Sequence, residues 1–121
     1  MKIDSQQILQ IAVQAADAKG AQNIVALDMQ EVSLLADYFV ISSGRNDRQI
    51  QAIVDAVIEE EEKAQVEVRN IEGKDNAKWI LIDLGGVIVH IFNEEERDFY
   101  QLEKLWSDAP LVDLSEWIAE K

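Results

Sequence analysis

Two mainly hydrophobic, β-rich runs with few polar positions flank a Gly-Gly dipeptide, which predicts a β-hairpin. The two runs are Lys78 to Leu84 and Val87 to Phe92, and Gly85 and Gly86 suit a two-residue turn because glycine accepts positive φ. A two-residue loop fixes the register, so one face of the hairpin is uniformly aliphatic. That face carries Ile80, Ile82, Leu84, Val87, Val89 and Ile91.

The opposite face of this hairpin is mixed and includes the only histidine of the chain. Its cross-strand pairs are Trp79 with Phe92, Leu81 with His90, and Asp83 with Ile88. Either a helix covers this face, as in many α/β domains, or it stays open for a partner. Aromatic and aliphatic anchors with a few polar groups are typical of an interface, so Trp79 is the candidate anchor and Asp83 the candidate charge partner.

Four helix starts are predicted by Asp or Asn followed three residues later by Glu or Gln, a variant of the capping box. The pairs are Asp4 with Gln7, Asn46 with Gln49, Asn93 with Glu96, and Asp113 with Glu116. Further strands are expected at 23–28, 38–42 and 66–71. The order strand, helix, strand from 38 to 71 favours a parallel right-handed crossover.

These elements predict an α/β fold, with a mixed five-stranded sheet and flanking helices in a single domain over residues 1–106. Residues 107–121 are expected to be a C-terminal extension with a short helix. The helix that begins after Asn93 is expected to turn Phe99, Leu102, Leu105 and Trp106 toward the core, with Arg97, Tyr100 and Lys104 on another stripe. Tyr100 is then either a surface contact or a residue at the edge of an interface.

A chain of 121 residues with 48% hydrophobic residues suits one domain with one core. No apolar span of 18 residues is present and the first residues lack a signal peptide's hydrophobic stretch, so we expect a cytoplasmic protein without a membrane segment. The absence of cysteine excludes disulfides, thiol catalysis and thiolate metal sites.

The net charge is −13, from 24 acidic and 11 basic residues. This balance disfavours binding to DNA or to long stretches of RNA and favours a basic protein partner, although an acidic surface also serves solubility alone. Four consecutive acids, Glu59 to Glu62, are expected to form a solvated helix end.

Two groups of residues are candidates for catalysis. Ser42-Ser43-Gly44 precedes a helix, as a phosphate-binding loop does, but it has one glycine and no Lys-Ser or Lys-Thr pair. Asp83 and His90 are diagonal neighbours in the hairpin, which is more consistent with a structural or partner-facing pair than with a general base. No predicted strand end carries a closely spaced carboxylate pair for a metal, so we expect neither a cofactor nor enzymatic activity.

Two blocks of the sequence together resemble the ribosomal silencing factor family, also called Iojap-related proteins. The first is ADYFVISSGRNDRQIQAIVDAV, and the second is WILIDLGGVIVHIF followed by R-x-F-Y-x-L-E-K-L-W. The similarity covers about Ile8 to Trp106. One departure is Gly86, where we expect family members often to carry Asp, which puts a role for a carboxylate at this turn in doubt.

The resemblance implies a nucleotidyltransferase-like fold that is catalytically empty. It also implies a translation repressor that binds the large ribosomal subunit through ribosomal protein L-fourteen and blocks subunit joining under nutrient limitation. The candidate contact residues are Trp79, Leu81, Asp83, Ile88, His90 and, at the edge, Tyr100. Two alternatives stay open: a nucleotide-dependent transferase or hydrolase on the same fold, and a homodimer that hides the open face.

Overall fold

The computed structural model describes residues 4–75 and 78–118. Nine elements follow one another along these residues, numbered in chain order. They are α1 (Ser5–Ala18), β1 (Gln22–Asp28), β2 (Tyr38–Gly44), α2 (Asp47–Lys63), β3 (Asn70–Glu72), β4 (Trp79–Asp83), β5 (Val87–Asn93), α3 (Glu94–Tyr100) and α4 (Leu102–Leu105).

The five strands form one mixed sheet in the order β1-β2-β5-β4-β3, which confirms the predicted fold class. The β2–β5 pair is parallel, and the other three pairs are antiparallel. Strand β3 therefore runs parallel to β2, as the crossover prediction required, but it lies at the far edge of the sheet. It has three residues, because only Asn70 to Glu72 pair with β4.

The predicted hairpin register is confirmed. Trp79 pairs with Phe92, Leu81 with His90, and Asp83 with Ile88. The turn closes through a hydrogen bond from Leu84 N to Val87 O of 2.9 Å, and Gly85 has a φ of 92°. A glycine is required there because other L-residues rarely adopt this conformation.

Three of the four predicted helix starts are confirmed by side-chain caps. Asp4, Asn46 and Asn93 each accept a hydrogen bond from the backbone N–H three residues later. The fourth predicted start, at Asp113, shows no capping box, and the short helix of the C-terminal extension stays a prediction. Asp113 Oδ1 accepts instead from Ser115 N at 2.9 Å, and residues 115–117 form a turn. Residues 119–121 lie outside the described part of the chain.

Helices α1 and α2 cover the aliphatic face of the sheet, which we call the helix-covered face. Its core contains the hairpin residues of that face and the apolar stripes of both helices, all excluded from solvent. The fully buried members include Leu9, Ala12, Val13, Ile50, Ile53, Val57, Ile80, Ile82, Val89 and Ile91. Burial of this much apolar surface is the main source of stability in the domain.

The C-terminal segment crosses from one face of the sheet to the other along the outer edge of β1. Asp28 N donates to Pro110 O at 2.8 Å, and Val112 N donates to Ala26 O at 2.9 Å. Ala109 is buried on one side of the sheet and Leu114 on the other. This segment therefore covers backbone groups of an edge strand that would otherwise be unpaired.

The single helix predicted after Asn93 is divided into α3 and α4. Gln101 lies between them in the left-handed region, with φ 46° and ψ 54°. Phe99 of α3 and Leu105 of α4 are 79% and 72% exposed instead of buried, whereas Leu102 is buried as predicted. Arg97, which was predicted to share the polar stripe, is buried.

Candidate functional site

The second face of the sheet, which we call the aromatic face, carries the mixed residues of the hairpin. Near β1 and β2 it is covered by α4 and the C-terminal segment, through Leu102 and Ala109. Around β4 the cover ends, and Trp79, Leu81, Asp83 and Ile88 are all partly exposed. The sequence left two interpretations, a covered face and an open one. The first describes the half over β1 and β2, and the second describes the half around β4.

Four aromatic rings extend from the covered half to the surface. Trp79 stacks on the buried Phe92, with ring centroids 5.0 Å apart. It also contacts Tyr100 of α3, and the centroids of these two rings are 4.8 Å apart. Phe99 contacts Tyr100 edge-on at 5.1 Å. Because Tyr100 is 46% exposed, the structure brings this edge candidate directly beside the anchor candidate. Together Trp79, Phe99 and Tyr100 form a continuous aromatic surface.

His90 lies beneath this surface and is only 4% exposed. Its Nδ1 accepts a hydrogen bond from the indole Nε1 of Trp79 at 3.1 Å, and its ring packs edge-on against Phe39. Burial lowers the pKa of His90 to about 4, so the imidazole is neutral at pH 7 and its proton must lie on Nε2. The polar atom of Trp79 is therefore turned inward, and the indole offers carbon surface to the outside.

The expected neighbour relation between Asp83 and His90 does not become a contact. Asp83 Oδ1 accepts from the backbone N–H of Gly85 at 2.9 Å and so stabilises the hairpin turn. Nε2 of His90 has no hydrogen-bond partner within the described residues. The nitrogen of His90 that could accept a proton, Nδ1, is occupied by the Trp79 indole, and the side chain is almost excluded from solvent, so this geometry does not favour a general base. His90 instead holds the Trp79 indole in place.

The Ser42-Ser43-Gly44 segment is the buried end of β2 and not an open loop. Both serines are almost fully buried, and Ser43 Oγ lies 3.4 Å from the carbonyl oxygen of Gln22. A Cβ atom on Gly44 would lie 2.7 Å from Cγ1 of Ile50, so this glycine allows α2 to pack closely on the strand. The hydroxyls that a phosphate would need are turned into the protein.

Gly86 packs against the start of α1. A Cβ atom there would collide with the hydroxyl of Ser5, which donates to Asp37 Oδ2 at 2.6 Å. The carboxylate nearest this turn on the side of α1 is thus Asp37, from the segment before β2. An Asp at position 86 would require Ser5 to move.

Sequence reasoning missed three features of this region. Phe99 and Leu105 were assigned to the core, and no glycine or proline announced the break at Gln101. Leu34 and Leu35, in the connection between β1 and β2, are also almost fully exposed. The adjacent aromatic pair Phe99-Tyr100 was the one available signal, because neighbours in a helix cannot share a face.

Within residues 4–75 and 78–118, no three His, Asp or Glu side chains come together in a way that could hold a metal ion. None of the described helices is both long enough and apolar enough to cross a membrane.

Comparison with known proteins gives consistent matches over the whole chain. The sequence profile of a family described as "Ribosomal silencing factor during starvation" matches residues 2–121. Ribosomal silencing factor RsfS of Bacillus subtilis is 48% identical over 112 residues, which are 93% of this chain and 95% of that protein. An Arabidopsis thaliana protein named "Protein Iojap-related, mitochondrial" is 34% identical over 97 residues, or 76% of this chain and 52% of its own length.

A crystal structure of a Bacillus halodurans protein superimposes with a TM-score of 0.81 at 44% identity, over 91% of this chain and 100% of that one. A crystal structure of a Chromobacterium violaceum protein superimposes with a TM-score of 0.85 at 28% identity, over 87% of this chain and 88% of the other.

Proposed function

The chain belongs to the ribosomal silencing factor family, and we propose that it represses translation by binding the large ribosomal subunit and sterically blocking subunit joining. The family name describes a regulatory role and not an enzymatic one. In this proposal the direct partner is ribosomal protein L-fourteen, a basic protein, and the repressor acts in the cytoplasm when nutrients are limiting.

The open half of the aromatic face is the observation that supports this proposal most strongly. Interfaces derive most of their binding energy from a few aromatic anchors surrounded by less important contacts. Trp79 is held from below by His90 and Phe92. It therefore loses little conformational freedom on binding, which reduces the entropic cost of forming a complex. Leu81 and Ile88 extend the apolar area around it, and Tyr100 lies at its edge.

Electrostatics support a basic protein as the partner. The net charge of −13 attracts a basic surface and repels the backbone of nucleic acids. Asp83 lies partly exposed on the open half, and α3 carries Glu94, Glu95 and Glu96 in its first turn. Such charges speed the encounter with a basic partner and select its orientation.

Steric occlusion requires only binding and needs no cofactor. A bound domain of this size prevents a second large surface from approaching the same site. The alternative of a nucleotide-dependent transferase or hydrolase receives no support from Ser42 and Ser43, whose side chains are buried. Nor does it receive support from Asp83 and His90, which are not in contact.

The proposal is tested by sedimenting the purified protein with isolated large subunits and by measuring the yield of joined ribosomes. We expect cosedimentation and a lower yield, both weakened by Trp79→Ala. Leu111→Ala is the matched control, because Leu111 is also a large exposed apolar residue but lies at the β1 edge. An unchanged joining yield at saturating protein would contradict the proposal. Light scattering of the free protein shows whether a homodimer competes for the same face.

A further inference from the structure

One side chain of helix α3 is buried against the sheet, and that side chain is an arginine. Arg97 is the one residue of α3 that is excluded from solvent, at 9% exposure. A helix of seven residues does not persist alone in water, and its placement depends on tertiary contacts. The cap at Asn93 fixes where α3 starts. The helix body is then held by the guanidinium of Arg97 and by the half-exposed ring of Tyr100, which packs on Trp79 and Phe92.

The guanidinium reaches four acceptors from three parts of the chain. Nη2 donates to the carbonyl oxygen of Asn23 at 2.6 Å, and Nη1 donates to that of Gln22 at 3.1 Å and to Ser43 Oγ at 3.4 Å. Nε donates to Glu103 Oε1 at 3.3 Å. The same contact is an ion pair, and it joins α3 to α4. We call these groups the Arg97 clamp.

Strand β1 is distorted where it receives the clamp. Its pairing with β2 shifts register between Gln22 and Val25, and Asn23 has a φ of 52°. In a regular strand, successive carbonyl groups point to opposite sides. The irregularity lets the carbonyls of Gln22 and Asn23 reach the same guanidinium. Bulges in strands often redirect groups in this way near functional sites. Asparagine tolerates this conformation better than most residues do.

We infer that Arg97 is a positioning residue for partner binding, because it holds α3 where Tyr100 contacts Trp79. Tyr100 follows Arg97 by three residues, and its ring centroid lies 4.8 Å from that of Trp79. Without the clamp, Leu102 is the one buried side chain left in α3 and α4, and α3 itself keeps only the half-exposed ring of Tyr100 on the sheet. Tyr100 and Phe99 then lose their fixed place beside the anchor. The inference rests on the proposed function for its consequence in binding, but the positioning itself is measurable in the free protein.

The first experiment uses Arg97→Met, with Lys104→Met as its control. Each variant removes one positive charge from the same segment, and Lys104 is exposed. In the free protein we expect Arg97→Met to remove the nuclear Overhauser effects between the Trp79 and Tyr100 rings and to speed amide exchange in α3 and α4 at least tenfold. Exchange in β4 and β5 should not change, and Lys104→Met should behave as the unaltered protein does. A preserved Trp79–Tyr100 contact in Arg97→Met would overturn the inference.

If Arg97→Met fails to fold, Asn23→Val tests the clamp from the other side without changing a charge. Valine is strained at a φ of 52°, so the distorted strand should rearrange and release the guanidinium. Asn23→Gly is the control, because glycine accepts this conformation. We expect loss of the ring contact in the valine variant alone. Retention of the contact in both variants would equally overturn the inference.

The binding experiment measures affinity for isolated large subunits. Arg97→Met and Tyr100→Ala should each weaken binding about tenfold, and the double variant should bind little worse than either, because both act through the same ring. Normal binding by Arg97→Met with a released α3, or fully additive losses, would overturn the inference. If the unaltered protein does not bind large subunits at all, the proposed function is wrong. The positioning role of Arg97 is still tested in that case, because the Trp79–Tyr100 ring contact is measured in the free protein.

Discussion

The two faces of the sheet are made by the same strands but are completed in different ways. The helix-covered face is closed by two long capped helices over aliphatic side chains. The aromatic face is closed over β1 and β2 by a four-residue helix and the C-terminal segment, and it is open around Trp79. The alternation of residues in one hairpin therefore separates two tasks. One set of side chains lies in the core, and several members of the other set stay partly exposed.

Within the described residues, each face also holds one buried group whose pKa is strongly shifted by burial, and the two shifts have opposite effects on how stability depends on pH. Glu61 of α2 is fully buried, neither of its oxygens has a hydrogen-bond partner in the described residues, and burial raises its pKa to about 8. The expectation of a solvated end for Glu59 to Glu62 is therefore wrong at Glu61. The lowered pKa of His90 means that its contribution to stability is lost as the pH falls from 6.5 to about 4.

The largest expected effect is on the stability of the helix-covered face. Ile82→Ala removes a fully buried side chain that is paired with Val89, and we expect it to lower the free energy of unfolding by about 2–5 kcal/mol. Denaturant unfolding measures this loss. The folded fraction should bind large subunits with normal affinity, because Ile82 does not reach the aromatic face. If the folded fraction of Ile82→Ala bound large subunits more weakly, the two faces would not have separate roles in stability and binding.

On the aromatic face, Trp79→Ala should have the opposite profile. We expect binding to weaken by about 2 kcal/mol or more, which is ~30-fold in the dissociation constant. Its cost in stability should stay below the ~3–5 kcal/mol of a fully buried large aromatic, because Trp79 is partly exposed. Binding assays paired with denaturant melts separate the two quantities. A full core-like stability loss with normal affinity would mean that Trp79 serves the fold alone.

Glu61→Gln tests the buried acid of the helix-covered face. The pKa of Glu61 rises from 4.5 to about 8 in the folded protein, so the folded state retains a proton that the unfolded state releases between these values. Stability should therefore fall as the pH rises from 4.5 to 8. Glutamine does not titrate, so the stability of the variant relative to the original protein should be greater at pH 8 than at pH 5, by on the order of 3 kcal/mol. Thermal melts at both pH values measure this, and the exposed Glu62→Gln should show no such difference.

The smallest expected effect comes from charge on the open half of the aromatic face. Asp83→Lys reverses a partly exposed charge that would face a basic partner, so it should weaken binding by about 1 kcal/mol at low salt and by less at high salt. Binding isotherms at two ionic strengths measure the difference. Because Asp83 Oδ1 also stabilises the turn, Asp83→Asn is the control that keeps an acceptor there. A loss that is independent of salt would assign Asp83 to the turn alone.

How much the sequence could predict depends on the range of the interactions concerned. The hairpin register followed from Gly85-Gly86, and three helix starts followed from caps, because both signals act over a few residues. The break at Gln101 could not be predicted, since no glycine, asparagine or proline marks the position and other residues rarely adopt the left-handed conformation. The burial of Arg97 was equally hidden, because its acceptors Gln22 and Asn23 are more than seventy residues away.

The candidate site was predicted in composition but not in extent. Trp79, Leu81, Asp83 and Ile88 lie together because strand pairing determines which residues share a face. The position of Tyr100 beside Trp79 depends on the divided helix, which no local pattern encodes. The docking of the C-terminal segment on β1 was likewise not predictable, because an edge strand accepts many sequences as a partner.

The central claim, that the open half of the aromatic face meets the ribosome, is tested most directly by oxidative footprinting of the tryptophans. Trp79 lies on that half, whereas Trp117 packs against the core of the helix-covered face and serves as an internal control. The protein is labelled by hydroxyl radicals with and without an excess of large subunits, and the modified residues are quantified by mass spectrometry. We predict that labelling of Trp79 and Tyr100 falls severalfold in the complex while labelling of Trp117 is unchanged. Protection of Trp117 with unchanged labelling of Trp79 would contradict the account.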